Sequence, residues 1–240
     1  MQAHEKKIKY LEYKLNENER RIPYKVIERL LLGNKRFKEN KMIDRDMVKE
    51  REAVVHGQDP KAVVIECSDS RVPSVLIFDQ GLGDLFRIAL AGNRIDDNVV
   101  ASVLYAISHL NTKVVINVAH SSCGAANAAC TMRKSGELEG NEIDYLLEHM
   151  KAICSTTNFD PDLTAKEHAK FGILELLENK EIKKHVLNNN VVLASAFFDL
   201  VTGEVKLTSL IYSKKVNGKS EIIVSEDINK ALEEIKTKNL

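Results

Sequence analysis

Short apolar runs alternate along the chain with longer segments in which apolar residues recur at helical spacing. Near-continuous apolar runs of this length are typical of strands that are covered on both faces. Four such runs predict strands at residues 62–66, 85–91, 113–119 and 190–198. Strands that alternate with helices predict an α/β fold with a mostly parallel central sheet.

The last part of the pattern differs, because a turn-like segment at 199–204 joins the fourth strand directly to another apolar run at 205–212. A short hairpin connection forces the fifth strand to run antiparallel. We therefore expect four parallel strands plus an antiparallel edge strand, flanked by helices. The segments predicted to be helical begin or lie at 23–37, 44–56, 96–110, from 124 onward, 141–154, 162–179 and 226–238.

The N-terminal segment carries only a thin apolar stripe, made by Ile8, Leu11 and Leu15 at helical spacing. Such a helix cannot fold alone and must lie on the domain or on a second subunit. With no internal repeat, low-complexity tract or linker in the sequence, we expect a single domain over 1–240. Within it, residues 1–25 form a helical arm and 213–240 a C-terminal extension.

Charge and composition exclude several classes of function. The 240 residues carry 35 basic and 35 acidic side chains, which argues against electrostatic binding of nucleic acid. No apolar run approaches the roughly 20 residues of a membrane span, and the first residues lack the apolar segment of a secretion signal. We therefore expect a cytoplasmic protein that does not bind membranes. In a reducing compartment its four cysteines are free thiols or metal ligands.

Two of the cysteines follow predicted strands and have polar neighbours. Cys67 comes directly after the first strand, while His120 and Cys123 follow the third. Because the carboxyl ends of parallel strands meet at one crevice, these ligands can converge. Two thiolates and one imidazole suit zinc and leave a fourth position open for water or substrate. Cys130 and Cys154 lie inside helical patterns and are interpreted as small buried hydrophobes.

Asp69 and Arg71 stand two and four residues after Cys67. By spacing alone they are a solvated ion pair. Beside a metal the carboxylate can accept a hydrogen bond from metal-bound water, or it can bind the metal and close the site. A bidentate arginine would select between these two states.

These residues belong to a set of motifs that resembles the β-class carbonic anhydrases. The similarity covers roughly residues 28–212 and includes the stretches Cys67-Ser-Asp-Ser-Arg-Val-Pro73, Ala91-Gly92-Asn93 and His120-x-x-Cys123-Gly124-Ala125. The resemblance implies reversible hydration of CO₂ to bicarbonate and a proton by a zinc-bound hydroxide. By position, it assigns Cys67, His120 and Cys123 as the Zn²⁺ ligands, Asp69 and Arg71 as the catalytic dyad and Gln58 as the substrate-binding residue. It also implies a homodimer or homotetramer whose partner is a small molecule, CO₂ or bicarbonate.

The chain departs from the usual family pattern at Ala119, where glycine is common, at Leu104, where glutamate is common, and at Ala89, where arginine is customary. It has no tryptophan. The regulatory anion site of the closed subtype uses that arginine and a tryptophan, so the resemblance favours the open subtype. Two alternatives remain: hydrolysis of another heterocumulene, CS₂ or COS, and a non-catalytic zinc-binding homologue.

Overall fold

The computed structural model describes residues 19–188 and 190–237. A single mixed sheet of six strands runs through them, in the order β2-β1-β3-β4-β5-β6. The strands are β1 Ala62–Cys67, β2 Leu85–Leu90, β3 Val114–His120, β4 Val192–Phe198, β5 Val205–Val216 and β6 Lys219–Ser225. The first four pair in parallel, and β5 and β6 add in antiparallel fashion.

Helices cover both faces of this sheet. They are α1 Pro23–Lys38, α2 Met47–Ala53, α3 Ser74–Ile77, α4 Asp97–His109, α5 Gly124–Ser135, α6 Glu142–Cys154, α7 Pro161–Leu176, α8 Lys180–Leu187 and α9 Ile228–Lys236. Short 3-10 turns lie at Glu19–Arg21 and Ala91–Asn93. None of the helices in the described ranges is long and apolar enough to cross a membrane.

Side chains on the two faces of the central strands enter two separate cores. In β1, Val64 and Cys67 belong to one buried cluster, whereas Val63 and Ile65 belong to the other. All six residues of β1 and all seven of β3 are buried, as expected of parallel strands with helices on both faces. Two of the apolar runs in the sequence therefore correspond to β1 and β3, which are buried along their whole length.

Helix boundaries follow local signals in the sequence. Asp96 caps α4 by accepting a hydrogen bond from the backbone N–H of Val99 at 2.9 Å. Asp160 caps α7 in the same way, with Pro161 at the first helical position, where its missing N–H costs nothing. These caps set where α4 and α7 begin beside the carboxyl end of the sheet.

The predicted α/β fold is confirmed, with four parallel strands and an antiparallel β5. One detail is corrected: β5 is not the edge strand, because β6 pairs with it along Leu210–Val216 and forms the edge. The sequence pattern missed β6 because its apolar run, residues 222–224, is only three residues long and the strand is mostly exposed or half-buried. The segment predicted as a C-terminal extension thus contains a sheet strand and α9. The proposed helix over residues 1–20 lies almost wholly outside the described residues, and the single-domain organisation stays a prediction.

Candidate metal centre

Neighbouring strands deliver two of the three predicted ligands to one place. Cys67 is the last residue of β1 and His120 the last residue of β3, and these two strands pair in parallel. After His120 the chain makes a tight turn through Ser122, which has a left-handed φ of 54°, and Cys123 then stands at the N-cap of α5. The turn brings Cys123 back toward the strand end.

The three side chains form one compact donor cluster. Their ligand atoms all lie within 4.8 Å of one another, and all three residues are buried. Among the described residues, this is the one group of three such donors that could hold a metal ion. The geometry therefore brings together the three residues that the strand ends predicted.

The imidazole of His120 is oriented for ligation. Its Nδ1 lies 2.9 Å from the carbonyl oxygen of Ser121, and because a carbonyl can only accept, Nδ1 carries the proton. The Nε2 atom then carries the lone pair, and it is buried without a hydrogen-bond partner. A buried acceptor without a partner is costly in a folded protein, and a metal ion at the cluster would satisfy it.

The two thiols are electrostatically coupled. A hydrogen bond from Cys123 lowers the pKa of Cys67 to about 4, and the same contact, together with burial, raises the pKa of Cys123. Burial lowers the pKa of His120, but the nearby Cys67 sulfur, the Ser121 carbonyl and the charge of Asp69 outweigh it and shift that pKa upward. Cys67 is thus a thiolate at neutral pH, the form in which cysteine binds metals.

Gly92 completes the surroundings of Cys67. Its backbone N–H donates to Cys67 Sγ at 3.3 Å. Gly92 has a φ of +68°, and a Cβ there would lie 2.8 Å from Met150 Cε and 3.1 Å from Ala125 Cβ. A residue without a side chain is therefore required for this backbone to approach both the thiolate and α6.

Asp69 lies at the cluster but is held away from it by Arg71. The guanidinium donates to both carboxylate oxygens, at 2.9 and 2.7 Å, and also to the carbonyl oxygen of Ser122 at 3.1 Å. These bonds hold the pKa of Asp69 well below its usual range. One Asp69 oxygen lies 4.0 Å from His120 Nε2. The carboxylate is therefore ionised beside the donor cluster without being one of its members.

Two further carboxylates position this loop, and the sequence reasoning missed both. Glu66, 2% exposed inside the apolar run of β1, accepts from the backbone N–H of Ser74 at 2.8 Å and from Arg87 Nε at 2.8 Å. Asp162, at the start of α7, accepts from the backbone N–H of Ser122 at 2.7 Å. A charged residue within an apolar strand was the available signal for Glu66, whereas Asp162 has none in the sequence.

Gln58 lies apart from these groups. It stands in the exposed segment before β1, and no hydrogen bond within the described residues joins it to the donor cluster or to Asp69. Its predicted contact with substrate stays a prediction.

Two of the three atypical residues have packing roles. Ala119 is fully buried in β3 opposite Phe197, and Leu104 packs from α4 against the second core. Ala89 is exposed on the edge strand β2. None of the three is one of the clustered donors.

Comparison with known proteins agrees with this geometry. The family model described as carbonic anhydrase matches residues 62–205, which include all of the clustered donors and the Asp69–Arg71 pair. The chain belongs to the β-carbonic anhydrase family. It is an α/β protein of that family's fold, and the Cys67, His120 and Cys123 cluster can bind a metal.

Individual relatives extend the comparison. Carbonic anhydrase 2 of Mycobacterium tuberculosis is 40% identical over 119 residues, which are 49% of this chain and 58% of that protein. The carbonic anhydrase of Mycolicibacterium smegmatis is 34% identical over the same shares. The aligned stretch thus spans little more than half the length of these curated relatives.

Solved structures match over more of the chain. One of two tetrameric β-carbonic anhydrases from Sordaria macrospora superposes with a TM-score of 0.60 and 27% identity, covering 65% of this chain and 84% of that one. The β-carbonic anhydrase CcaA superposes with a TM-score of 0.60 at 24% identity, covering 83% and 92%. The second likeness supports the fold alone.

Proposed function

We propose that this protein is a zinc enzyme that catalyses the reversible hydration of CO₂ to bicarbonate and a proton. The observation that carries the proposal is the buried Cys67, His120 and Cys123 cluster beside a carboxylate that Arg71 keeps ionised. Family membership supports the substrate, since relatives that share this stretch are named carbonic anhydrases.

Zinc fits the residues present. The donor set is two sulfurs and one imidazole nitrogen, a borderline-soft combination that zinc prefers. His120 Nε2 is buried without a partner, and Cys67 is already a thiolate. Zinc held by these three residues would act as a Lewis acid that lowers the pKa of a coordinated water.

The chain's own residues then provide orientation. Ionised Asp69 is an acceptor for the hydrogen of the attacking nucleophile, so a lone pair points toward the carbon of CO₂. Arg71 fixes Asp69 through two parallel hydrogen bonds and anchors itself on the Ser122 carbonyl. Val72 is buried in the same apolar cluster as Cys67 and Cys123 and keeps bulk water from that side. The oxygen of the attacking nucleophile adds to the carbon of CO₂, and one C=O bond becomes a C–O⁻. The proton that the original water molecule loses passes to solvent.

The deciding experiment is a CO₂ hydration assay on protein whose zinc content has been measured, with CS₂ and COS hydrolysis assayed in parallel. We expect CO₂ turnover that scales with zinc content. Turnover of CS₂ or COS alone would assign the other heterocumulene activity, and zinc binding without any turnover would identify a non-catalytic homologue. The Asp69→Asn variant serves as the control for background hydration.

We further propose that the protein acts as a homo-oligomer, a dimer or a tetramer. Large apolar side chains are exposed on α1, α2 and the segment that follows, at Leu32, Met47, Val48 and Val55. The Sordaria macrospora relatives are tetrameric, which supports the same arrangement here. Deleting residues 1–20 should weaken association in sedimentation experiments, and an unchanged oligomer would contradict a clasping role for the arm.

The oligomer also supplies a place for Gln58. We propose that Gln58 contacts substrate in the site of a second copy, because within its own chain it is exposed and hydrogen-bonded to none of the site residues. The Gln58→Ala and Asp69→Asn variants should each have low CO₂ hydration activity. Mixed and reassembled, they should recover activity, since one site then combines an intact Asp69 with an intact Gln58. No recovery would place the Gln58 role within one chain or remove it. The cytoplasmic location stays a prediction.

A further inference from the structure

Two cysteines outside the metal centre lie in direct contact. Cys130 of α5 and Cys154 of α6 are 24 residues apart in sequence, and their Sγ atoms are 3.0 Å apart. Cys130 is 4% exposed and Cys154 is fully buried. Both are free thiols. A disulfide bond is about 2.05 Å long, so closure needs a shift of roughly 1 Å in side chains that already face each other.

From this geometry we infer that Cys130 and Cys154 form a disulfide when the protein meets a low-molecular-weight disulfide, and that the new bond staples α5 to α6. Nothing in the proposed CO₂ chemistry uses these two residues. Neither of them is a member of the donor cluster. The inference therefore stands or falls independently of the proposed function.

The surroundings of the pair favour oxidation to a disulfide over metal binding. The nearest polar groups are a hydroxyl and a carbonyl: Thr164 Oγ1 lies 3.3 Å from Cys130 Sγ, and Cys154 Sγ donates to the Met150 carbonyl at 3.1 Å. Neither is a ligand that a soft metal prefers, and within residues 19–188 and 190–237 no imidazole is grouped with the pair. The atom that each sulfur contacts most closely is the other sulfur, at 3.0 Å.

Thiol–disulfide exchange accounts for every atom. Cys130 gives up its thiol proton and attacks one sulfur of the small disulfide, whose S–S bond breaks as the mixed disulfide forms. The departing small thiolate takes up that proton and leaves as one small thiol. Cys154 then attacks Cys130 Sγ, its proton passes to the departing small thiolate, and the protein disulfide is complete. Two cysteine thiols are oxidised, and one small disulfide is reduced to two thiols.

Exposure orders the two steps. Cys130 is the entry point, because it retains a little exposure while Cys154 has none. Burial and the contact with Cys130 raise the pKa of Cys154 to about 12, so Cys154 is a poor first nucleophile at neutral pH and reacts second. A reagent would reach the pair through local opening of α6 from α5, and residues 136–141, which connect the two helices, are all exposed.

A disulfide between Cys130 and Cys154 would restrain α5 and α6, the two helices that pack behind the metal centre. α5 begins directly after Cys123, and Met150 of α6 packs against Gly92, whose N–H donates to Cys67 Sγ. Holding α5 on α6 therefore restrains the backbone on two sides of the donor cluster. Cross-linking two positions 24 residues apart also reduces the conformational entropy of the unfolded chain.

The test treats folded, purified protein with an excess of oxidised glutathione and digests it without reduction. We expect a peptide that links Cys130 to Cys154, lighter by two hydrogens than the sum of its parts. The thermal unfolding midpoint should rise by roughly 5–10 °C and return after reduction with dithiothreitol.

Cys154→Ser is the matched variant. Under the same treatment it should stop at a glutathione adduct on Cys130 and show no rise in midpoint. Absence of the linked peptide from wild type, its formation only in denaturant, or an equal rise in midpoint in the variant would each overturn the inference. Cys130→Ala provides a second variant should Cys154→Ser fail to fold, and it should form neither the link nor the adduct.

Discussion

Two regions of this molecule each contain two buried cysteines and a buried histidine. Among the described residues, only one of these regions groups them as a set of donors that could hold a metal ion. In the first, Cys67, His120 and Cys123 place their ligand atoms within 4.8 Å of one another. In the second, Cys130 and Cys154 touch, while His168 lies one helical turn beyond Thr164 on α7 and is not grouped with them among the described residues. Residue type and burial are the same in both regions, so neither explains the difference.

The difference lies in the elements that carry the side chains. The first set comes from the ends of two adjacent parallel strands and from a helix N-cap, where side chains from separate segments converge on one point. The second set projects from the sides of three packed helices, where each side chain meets its nearest neighbour and apolar surroundings. Side chains that converge at strand ends form a three-donor metal site, whereas the cysteine pair between packed helices does not.

The two histidines show the same contrast. His120 has one ring nitrogen bonded to the Ser121 carbonyl and the other without a partner among its ligand neighbours. His168 is 1% exposed, and neither of its ring nitrogens has a partner. The first is a pre-oriented ligand, whereas the second is a neutral group that the core encloses.

The largest expected effect comes from breaking the first set. Cys123→Ser should lose most of the bound metal and nearly all CO₂ hydration, because it removes one of three ligands and leaves the coordination incomplete. Metal analysis of the purified variant measures this directly. The matched change in the second set, Cys130→Ser, should alter neither metal content nor activity. Full metal retention in Cys123→Ser would contradict the assignment of the ligands.

The next effect separates ligation from orientation within the first set. Asp69→Asn should keep the metal and lower turnover by roughly 100-fold, because it removes the charged acceptor but no ligand. The measurement pairs metal analysis with steady-state kinetics. Loss of the metal in this variant would make Asp69 a ligand and the site a closed one.

The pH profile of the wild-type enzyme tests the same point. Arg71 holds the pKa of Asp69 well below its usual range, so Asp69 stays ionised and paired throughout the neutral range. We therefore expect substantial activity near pH 7, without steep cooperative activation between about pH 7 and 9. Activity that emerges only in alkaline buffer would contradict an open site.

His168 sharpens the comparison through stability. Burial, and then the nearby charges of His149 and Arg94, lower its pKa from 6.5 to about 4. Between pH 6.5 and pH 4 the unfolded chain binds a proton on His168 that the folded chain does not bind. The free energy of unfolding therefore decreases as the pH falls through this range. The loss is on the order of 3 kcal/mol at the lower end.

A His168→Met variant should remove that loss, and urea unfolding at pH 7 and at pH 4.5 measures it. The groups facing His168 are His149, Arg94 and, through its pairing with His149 at 2.9 Å, Glu175, and all three are retained in the variant. The exposed His56→Gln is the matched control and should leave the wild-type slope unchanged. An identical pH slope in wild type and His168→Met would contradict the prediction, because it would show that His168 takes up its proton as readily in the folded protein as in the unfolded chain.

The smallest expected effect concerns the support of the first set. Glu66→Gln should lower turnover a few-fold with the metal retained, because the amide holds the Ser74 N–H less strongly than the carboxylate and the Asp69 loop loosens. Arg87→Gln keeps the Ser74 contact and should have less effect. Equal effects of the two changes on the kinetics would assign the role to the Glu66–Arg87 ion pair and not to the loop contact.

Much of the fold could be read from the sequence, because parallel strands buried on both faces leave an apolar signal that needs no partner to be recognised. β1 and β3 were predicted to within one residue at each end. β6 was missed because its apolar run is only three residues long. α8 was missed because it is short. The ligands were predictable since each follows a strong strand, and strand ends of a parallel sheet converge.

The sequence by itself determined the α/β class, the donors at the strand ends and the identity of the Asp69–Arg71 pair, since all three depend on local pattern and on motifs within a few residues. Only the tertiary structure showed that the three donor atoms lie within 4.8 Å of one another. It also revealed the contact between Cys130 and Cys154, the Asp162 hydrogen bond to the Ser122 turn and the support of Cys67 by Gly92. Each of these joins residues far apart in the chain through helix packing, and distances set by packing leave no periodic trace in a single sequence.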